Sequence, residues 1–391
     1  MIEKQLLNSL LGKIRHGGVG VTYWDGDSFT FGPTEPYFHL HIKSPKVIRA
    51  IFKNMSLGFG ESYSDGSIEV TGDLRNIARL VAENQKAFAA LSKALRKVTV
   101  RKNIQSKQKS YIAHHYDLGN DFYKLWLDKS LTYSCAYFKT ENDTLETAQA
   151  RKVDYILRKL QLQKGSTLLD IGSGWGTLLI TAAKKYGIVG HGVTLSEEQL
   201  AHAREAAEQA KVSDRVTFEL ANYQELPSRG LMFDRIVSVG MFEHVGQGNH
   251  NDYYRAIDAM LKPEGVSLLH TITQQTELPV DPWIDKYIFP GGYLPSNREI
   301  VQAFPAYNFR LIDYENLRIH YAMTLEEWMK RYETHRPVVI KKFDERFYRT
   351  WHLWLASSAA GFRYGELDLG QYVFTKGPQN NLPLTRDFLY S

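Results

Sequence analysis

Residues 169–177 read LDIGSGWGT: a short apolar run carrying Asp170, then glycines at 172, 174 and 176. Glycine tolerates positive φ and lets a ligand approach the main chain closely, so a strand that dissolves into spaced glycines before a helix marks a strand-to-helix crossover of an α/β sheet. The flanking sequence keeps that rhythm. TLLDIG (167–172) precedes a helix from about Trp175, and VGHGVTLS (189–196) precedes one through SEEQLAHAREAAEQA. VTFELA (216–221), FDRIVSVG (233–240) and GVSLLHTI (265–272) supply three more apolar runs. Alternating strands and helices predict an α/β fold whose mainly parallel sheet is covered by helices on both faces.

The 391 residues, 43% hydrophobic and 13% aromatic, suffice for one large domain with a smaller one and exclude a disordered chain. Cys135 is the single cysteine, so no internal disulfide forms, which fits a reducing compartment, the cytoplasm by default. The first residues, MIEKQLLNSLLGKIRHGG, lack a long apolar core and a small-residue cleavage site. No run of roughly eighteen apolar residues occurs, so neither export nor a membrane span is expected.

The net charge of +5 is unevenly placed. Residues 93–110, KALRKVTVRKNIQSKQKS, carry seven basic side chains and no acid, whereas the segments on either side are near balance. Such a stretch is either a solvated linker or an attractor for an anionic surface, at roughly 1 kcal/mol per Lys or Arg near an anionic leaflet. It divides the chain into an N-terminal domain (1–92), a basic linker (93–110) and a main domain (111–391).

Within 1–92, Ile2, Leu6, Leu7, Leu10, Leu11 and Ile14 recur at helical spacing, an apolar face expected to dock in the small domain's own core. VTYWDGDSFTFG sets an Asp-Gly turn between aromatic runs, FHLHIK alternates, and ESYSDGSIEVTGD repeats the Asp-Gly signal. A small α+β domain follows. His39 and His41 share a strand face, but no third ligand stands nearby and no metal is expected there.

The glycine triplet alone is weak evidence, since dinucleotide sites use G-x-G-x-x-G and tight turns also favour glycine. Its G-x-G-x-G spacing behind Asp170 points to S-adenosylmethionine, bound at the carboxyl ends of the strands where strand order reverses. The second strand ends in Thr194, Leu195 and Ser196 with Gln199 beyond, hydroxyl and amide partners where an acid usually holds ribose. After the fourth strand, VSVGMFEHVGQGNH (237–250) places Glu243 beside His244. Neighbours on an extended strand face opposite ways, so this pair is not expected to bind metal.

Taken together, these residues resemble the cyclopropane-fatty-acid synthase family. The resemblance runs through HHYDLGNDFY (114–123), LTYSCAYF (131–138), LDIGSGWG, GVTLSEEQ, DRIVSVGMFEHVG, LLHTI and VDPWIDKYIFPGGYLPS, in order. Residues 1–92 look like the N-terminal domain of full-length bacterial members, which the mycolic-acid cyclopropane synthases lack. The resemblance implies a class I S-adenosylmethionine-dependent methyltransferase fold, Rossmann-like, with a mainly parallel seven-stranded sheet. It also implies that Tyr133, Ser134, Gly172, Gly174, Trp175, Gly176, Thr194, Leu195, Ser196, Gln199, Asn222 and Tyr223 contact the cofactor. Ser173 stands where the family commonly has cysteine, Thr177 where it commonly has glycine, and Ser358 where some members have cysteine.

The implied activity is methylene transfer from S-adenosylmethionine to a cis double bond in a phospholipid acyl chain, closing a cyclopropane ring. The alkene attacks the sulfonium methyl, and the resulting carbocation must lose a proton from that methyl in a site that excludes water. In the family the base is a bound bicarbonate, and the matching positions are Cys135, Glu243, His270, the backbone of Ile272, and Tyr321. His244 is then a supporting residue. The resemblance also implies a homodimer resting peripherally on the inner membrane surface, with no nucleic-acid partner.

Two rival classes stand beside this one. A methyltransferase making a methyl-branched lipid, or acting on a small molecule, shares the cofactor loop, although the apolar VDPWIDKYIFPGGYLP segment argues against a compact polar pocket. A catalytically inactive lipid-binding protein would have no chemical reason to keep Cys135, Glu243, His270 and Tyr321 together.

Overall fold

The computed structural model describes residues 2–88 and 118–390. The basic segment 93–110, the His114–His115 pair and both proposed domain boundaries lie outside the described residues. Contacts group the chain into two units, one holding the N-terminal residues with Pro279–Pro290 and Ala322–Glu366, the other holding the rest.

In the first unit, strands β1 (Val19–Thr22), β2 (Ser28–Phe31), β3 (Phe38–Ile42) and β4 (Ile68–Gly72) form a sheet in the order β2-β1-β3-β4. The Asp25-Gly26 turn closes the antiparallel β1/β2 hairpin, with Gly26 at a positive φ of 91°. Helix α1 (Ile2–Leu11) is less fully docked than its spacing predicts. Leu7, Leu11 and the following Ile14 are buried, whereas Ile2 and Leu6 remain exposed. They join Val21, Phe38, Ile48 and Ile68 in one core. Helix α2 (Pro45–Lys53) starts where Ser44 caps the Lys46 N–H and Pro45 fixes the first turn. Helix α3 (Met55–Ser64) keeps Gly60 against Trp283, where an added Cβ would lie 2.3 Å from the indole. Helix Glu345–Tyr364 packs on it, the Arg349 guanidinium lying 4.3 Å from the Tyr63 ring and donating to the Ile68 carbonyl at 2.7 Å.

The second unit is the α/β domain. Strands β5 (Thr167–Ile171), β6 (Val189–Thr194), β7 (Val216–Leu220), β8 (Phe233–Val239), β9 (Leu261–Gln274), β10 (Phe309–Asn316) and β11 (Leu367–Lys376) form one sheet, ordered β10-β11-β9-β8-β5-β6-β7. The pairings among β5 to β9 are all parallel, and β11 runs antiparallel to β9 and to β10. All five runs that the sequence marks as strands are strands. Strand order reverses between β5 and β8, which opens a crevice at their carboxyl ends.

Period-two alternation on the central strands feeds two cores. Leu168, Val237 and Leu268 face one, with Ile156, Leu179 and Ala182 from the helices Leu145–Lys159 and Thr177–Tyr186. Leu169, Ile236 and Leu269 face the other, with Tyr253, Tyr254 and Ile257 from helix His250–Met260. Both faces are therefore covered, as the near-continuous apolar strands require. Among the described residues no helix is long and apolar enough to cross a membrane.

Candidate active site

At the β5/β8 switch point lies a cleft of about 1130 Å³, counting its open mouth. Its floor is the end of β5, where Asp170 is 2% exposed, and the glycine loop that follows. Gly174 has φ +54° and open space where a Cβ would stand, so ligand atoms can rest on the bare main chain. Gly176 does different work. It caps helix Thr177–Tyr186 with φ +88°, and a Cβ there would lie 2.8 Å from Phe218 and 3.0 Å from Ala203, so it permits helix-to-sheet packing and does not line the cleft.

Ten of the twelve residues expected at the cofactor line this cleft: Tyr133, Ser134, Gly172, Gly174, Trp175, Thr194, Leu195, Gln199, Asn222 and Tyr223. The eleventh is Gly176, and the twelfth, Ser196, is fully buried as the N-cap of helix Glu197–Gln209, accepting the Gln199 N–H at 3.3 Å. Thr194 donates its hydroxyl to the Gln199 side chain at 2.7 Å, fixing that amide at the rim. Trp175 hydrogen-bonds Asn120 at 2.7 Å and meets Tyr123 edge to face. With Trp126 and Tyr133 it makes an aromatic group beside the loop, suited to a cationic ligand.

Lys152 lines the same cleft and escaped the sequence reading, because it looks like one more lysine on an amphipathic helix. It is 2% exposed and donates to the Ser134 hydroxyl at 2.5 Å, and Gln149, one turn earlier, donates to the Ser134 carbonyl at 2.8 Å. Helix Leu145–Lys159 thus holds the 132–135 segment from beneath. Burial pushes the Lys152 ammonium down to about 8, against the pull of Cys135, Asp128 and Asp170. Burial likewise pushes Asp170 up to about 7, with Lys152 opposing. The signal available in sequence was the i, i+3 spacing of two polar residues on an otherwise apolar helix face.

The other expected residues stand beside the cleft. Strand β9 runs on past the end of β8, so its main-chain groups beyond His270 lose their strand partner on that side. The Gly240 N–H still bonds the His270 carbonyl at 2.9 Å, and two residues later the exposed Ile272 N–H is taken by Glu243 Oε1 at 2.7 Å. Glu243, His270 and Ile272 are thereby brought together. Cys135 is fully buried, its thiol 3.9 Å from the Leu317 carbonyl, which also accepts the Tyr321 N–H at 3.1 Å. Leu317 in turn bonds the Leu369 carbonyl, and Leu369 is the strand partner of Ile272. A continuous main-chain scaffold therefore links Cys135 and Tyr321 to Ile272.

None of these five lines the cleft itself, whereas their neighbours Ser134 and His244 do. Glu243 and His244 lie in a 3-10 turn, Phe242–His244, where the sequence predicts an extended strand, and the turn in place of a strand sends their side chains apart. His244 faces the cofactor crevice, where burial holds it down at about 4, a neutral imidazole. Burial pushes Glu243 up to about 6, and the Ile272 N–H opposes that rise. Among the described residues, Glu243 Oε2, His270 Nε2 and the Oε1 of the neighbouring Gln371 are buried polar atoms with no hydrogen-bond partner. Of the departures, Ser173 is buried and offers its hydroxyl to the Val193 carbonyl at 3.4 Å. Thr177 donates to the Ser130 carbonyl at 2.8 Å, and Ser358 is half-buried on helix Glu345–Tyr364. Ser173 and Thr177 thus each keep a main-chain partner.

A family model for mycolic acid cyclopropane synthetase matches residues 103–372, and a second, for a domain of unknown function, matches residues 6–93. The chain is 41% identical over 354 residues to the cyclopropane-fatty-acyl-phospholipid synthase of Escherichia coli K12, covering 89% of this chain and 90% of that protein. It is 34% identical over 376 residues to a probable fatty acid methyltransferase of Pseudomonas putida, covering 94% and 95%. Among solved structures, the mycolic acid cyclopropane synthase CmaA1 complexed with SAH and CTAB superposes with a TM-score of 0.65 at 34% identity, over 68% of this chain and 98% of that one. The α/β unit has the class I S-adenosylmethionine-dependent methyltransferase fold.

Proposed function

The chain belongs to the mycolic acid cyclopropane synthetase family, and from that premise we propose that it transfers a methylene group from S-adenosylmethionine to the cis double bond of unsaturated phospholipid acyl chains. The observation that carries the base assignment is the pair of orphaned buried atoms, Glu243 Oε2 and His270 Nε2. A carboxylate repels an ordinary anion, but bicarbonate is both donor and acceptor. Its O–H suits Glu243 Oε2 and its oxygens suit an imidazole N–H. The residues therefore fit the group.

The alkene π electrons form a bond to the sulfonium methyl as its C–S bond breaks, leaving S-adenosylhomocysteine and an acyl carbocation. Bicarbonate, held by Glu243 and His270, would supply the base for one proton of the transferred methyl, whose C–H electron pair then closes the ring. Glu243 orients that base and stays ionised above its raised pKa of about 6. His270 would donate to it, Cys135 and Tyr321 would add further contacts, and the Ile272 N–H fixes the Glu243 carboxylate. The aromatic group around Trp175 and Tyr133 keeps water from the cationic centre. Membrane docking through the basic 93–110 segment and a homodimer belong to the same reading. Co-sedimentation with anionic vesicles and analytical ultracentrifugation test them.

The deciding experiment incubates the protein with S-adenosylmethionine and vesicles of monounsaturated phospholipid, then analyses the acyl chains. Addition of one CH2 per alkene with upfield cyclopropyl protons is expected. The same mass gain with vinylic protons retained would indicate methyl or methylidene branching, and no gain would defeat the proposal.

A further inference from the structure

The geometry points to Gln371 as the positioning residue that sets the tautomer of His270, fixing its Nε2 as a hydrogen-bond donor. Strands β9 and β11 pair so that Gln371 stands directly opposite His270, which puts both side chains on one face of the sheet. The Gln371 amide nitrogen lies 3.1 Å from His270 Nδ1, with Gln371 0% and His270 1% exposed. With the Gln371 amide nitrogen turned toward the ring and its Oε1 turned away, the amide donates, Nδ1 accepts, and the ring proton sits on Nε2. His270 is neutral because burial, with Lys152 and Lys159 nearby, holds its pKa well below the ordinary value. A neutral imidazole has one proton, and where it sits decides whether Nε2 gives or takes a hydrogen bond.

The consequence follows from which atom is free. His270 Nε2 is the ring atom without a partner, and only the tautomer enforced by Gln371 makes it a donor. An oxyanion needs such a donor. The opposite tautomer would present a lone pair to the same anion and repel it. Gln371 is absent from the lining of the cofactor cleft, so its amide nitrogen acts through the ring. This inference rests on the proposed role of His270, but the tautomer itself is observable without turnover.

The test is nitrogen NMR of the full chain labelled at its 13 histidines, the His270 signals being identified by their loss in His270→Gln. The wild type is expected to show a protonated Nε2 and an unprotonated Nδ1. In Gln371→Glu the new carboxylate accepts from Nδ1, so the proton is expected to move there, with kcat falling on the order of 10- to 100-fold and KM for S-adenosylmethionine little changed. Gln371→Met, neutral and of similar volume, serves if the buried carboxylate prevents folding; it is expected to give a mixture of tautomers. A wild-type His270 protonated at Nδ1, or a Gln371→Met protein with the wild-type tautomer unmixed, overturns the inference whatever the activity. An expected tautomer together with a His270→Gln protein of full activity would instead refute the proposed base site and leave the tautomer assignment standing.

Discussion

Glu243→Gln separates a catalytic carboxylate from one that merely ties off the sheet. Glutamine has nearly the same shape and keeps a carbonyl oxygen to accept the Ile272 N–H, now held at 2.7 Å. It replaces the unpartnered Oε2 with an NH2 that cannot accept. The bond lost is one charge-assisted hydrogen bond, about 1.5–3 kcal/mol, which predicts a fall in kcat of roughly 10- to 150-fold. Stability should move the other way. Burial raises the carboxyl from 4.5 to about 6, so keeping it ionised at neutral pH costs the folded state about 2 kcal/mol, a cost glutamine lacks. With a folded pKa above the unfolded one, the protonated carboxyl stabilises fully below pH 4.5 and that contribution is lost as pH rises through about 6. On the proposed mechanism activity needs the ionised form and should rise through the same window. Turnover of S-adenosylmethionine on monounsaturated vesicles, at fixed bicarbonate concentration across pH, measures this, with thermal unfolding alongside. A variant that turns over within about twofold of wild type and keeps the acid limb would refute the reasoning. So would a variant whose lost activity merely follows lost stability.

Lys152→Met removes the ammonium that bonds Ser134 at 2.5 Å and faces Asp170; S-adenosylmethionine affinity is expected to weaken about tenfold, and an unchanged Kd by calorimetry would show that this cation contributes nothing to the cleft. Ser196→Ala deletes the cap of helix Glu197–Gln209 and is expected to cost about 1 kcal/mol, read as a lower urea midpoint at unchanged slope; an unmoved midpoint would mean the Gln199 N–H finds another acceptor.

Residues 167–172 and the four later apolar runs are legible as strands because a strand buried on both faces must be apolar at nearly every position. The glycine loop is legible because positive φ excludes most other residues. Those local requirements leave their mark in the letters, and so does the cofactor cleft they build. The order of the strands leaves no such mark. Only the sheet pairing carries Glu243 to Ile272, and only the β9/β11 register sets Gln371 against His270, since contacts across roughly 30 to 100 residues of chain depend on packing and not on neighbours. Burial likewise is invisible locally. Lys152 and Asp170 look like ordinary charges in sequence, yet exclusion of water moves both toward neutrality. The chain thus wrote down its elements and its chemistry-bearing residues, and the tertiary structure decided which of those residues meet, because desolvation and long-range register are properties of the packed sheet alone.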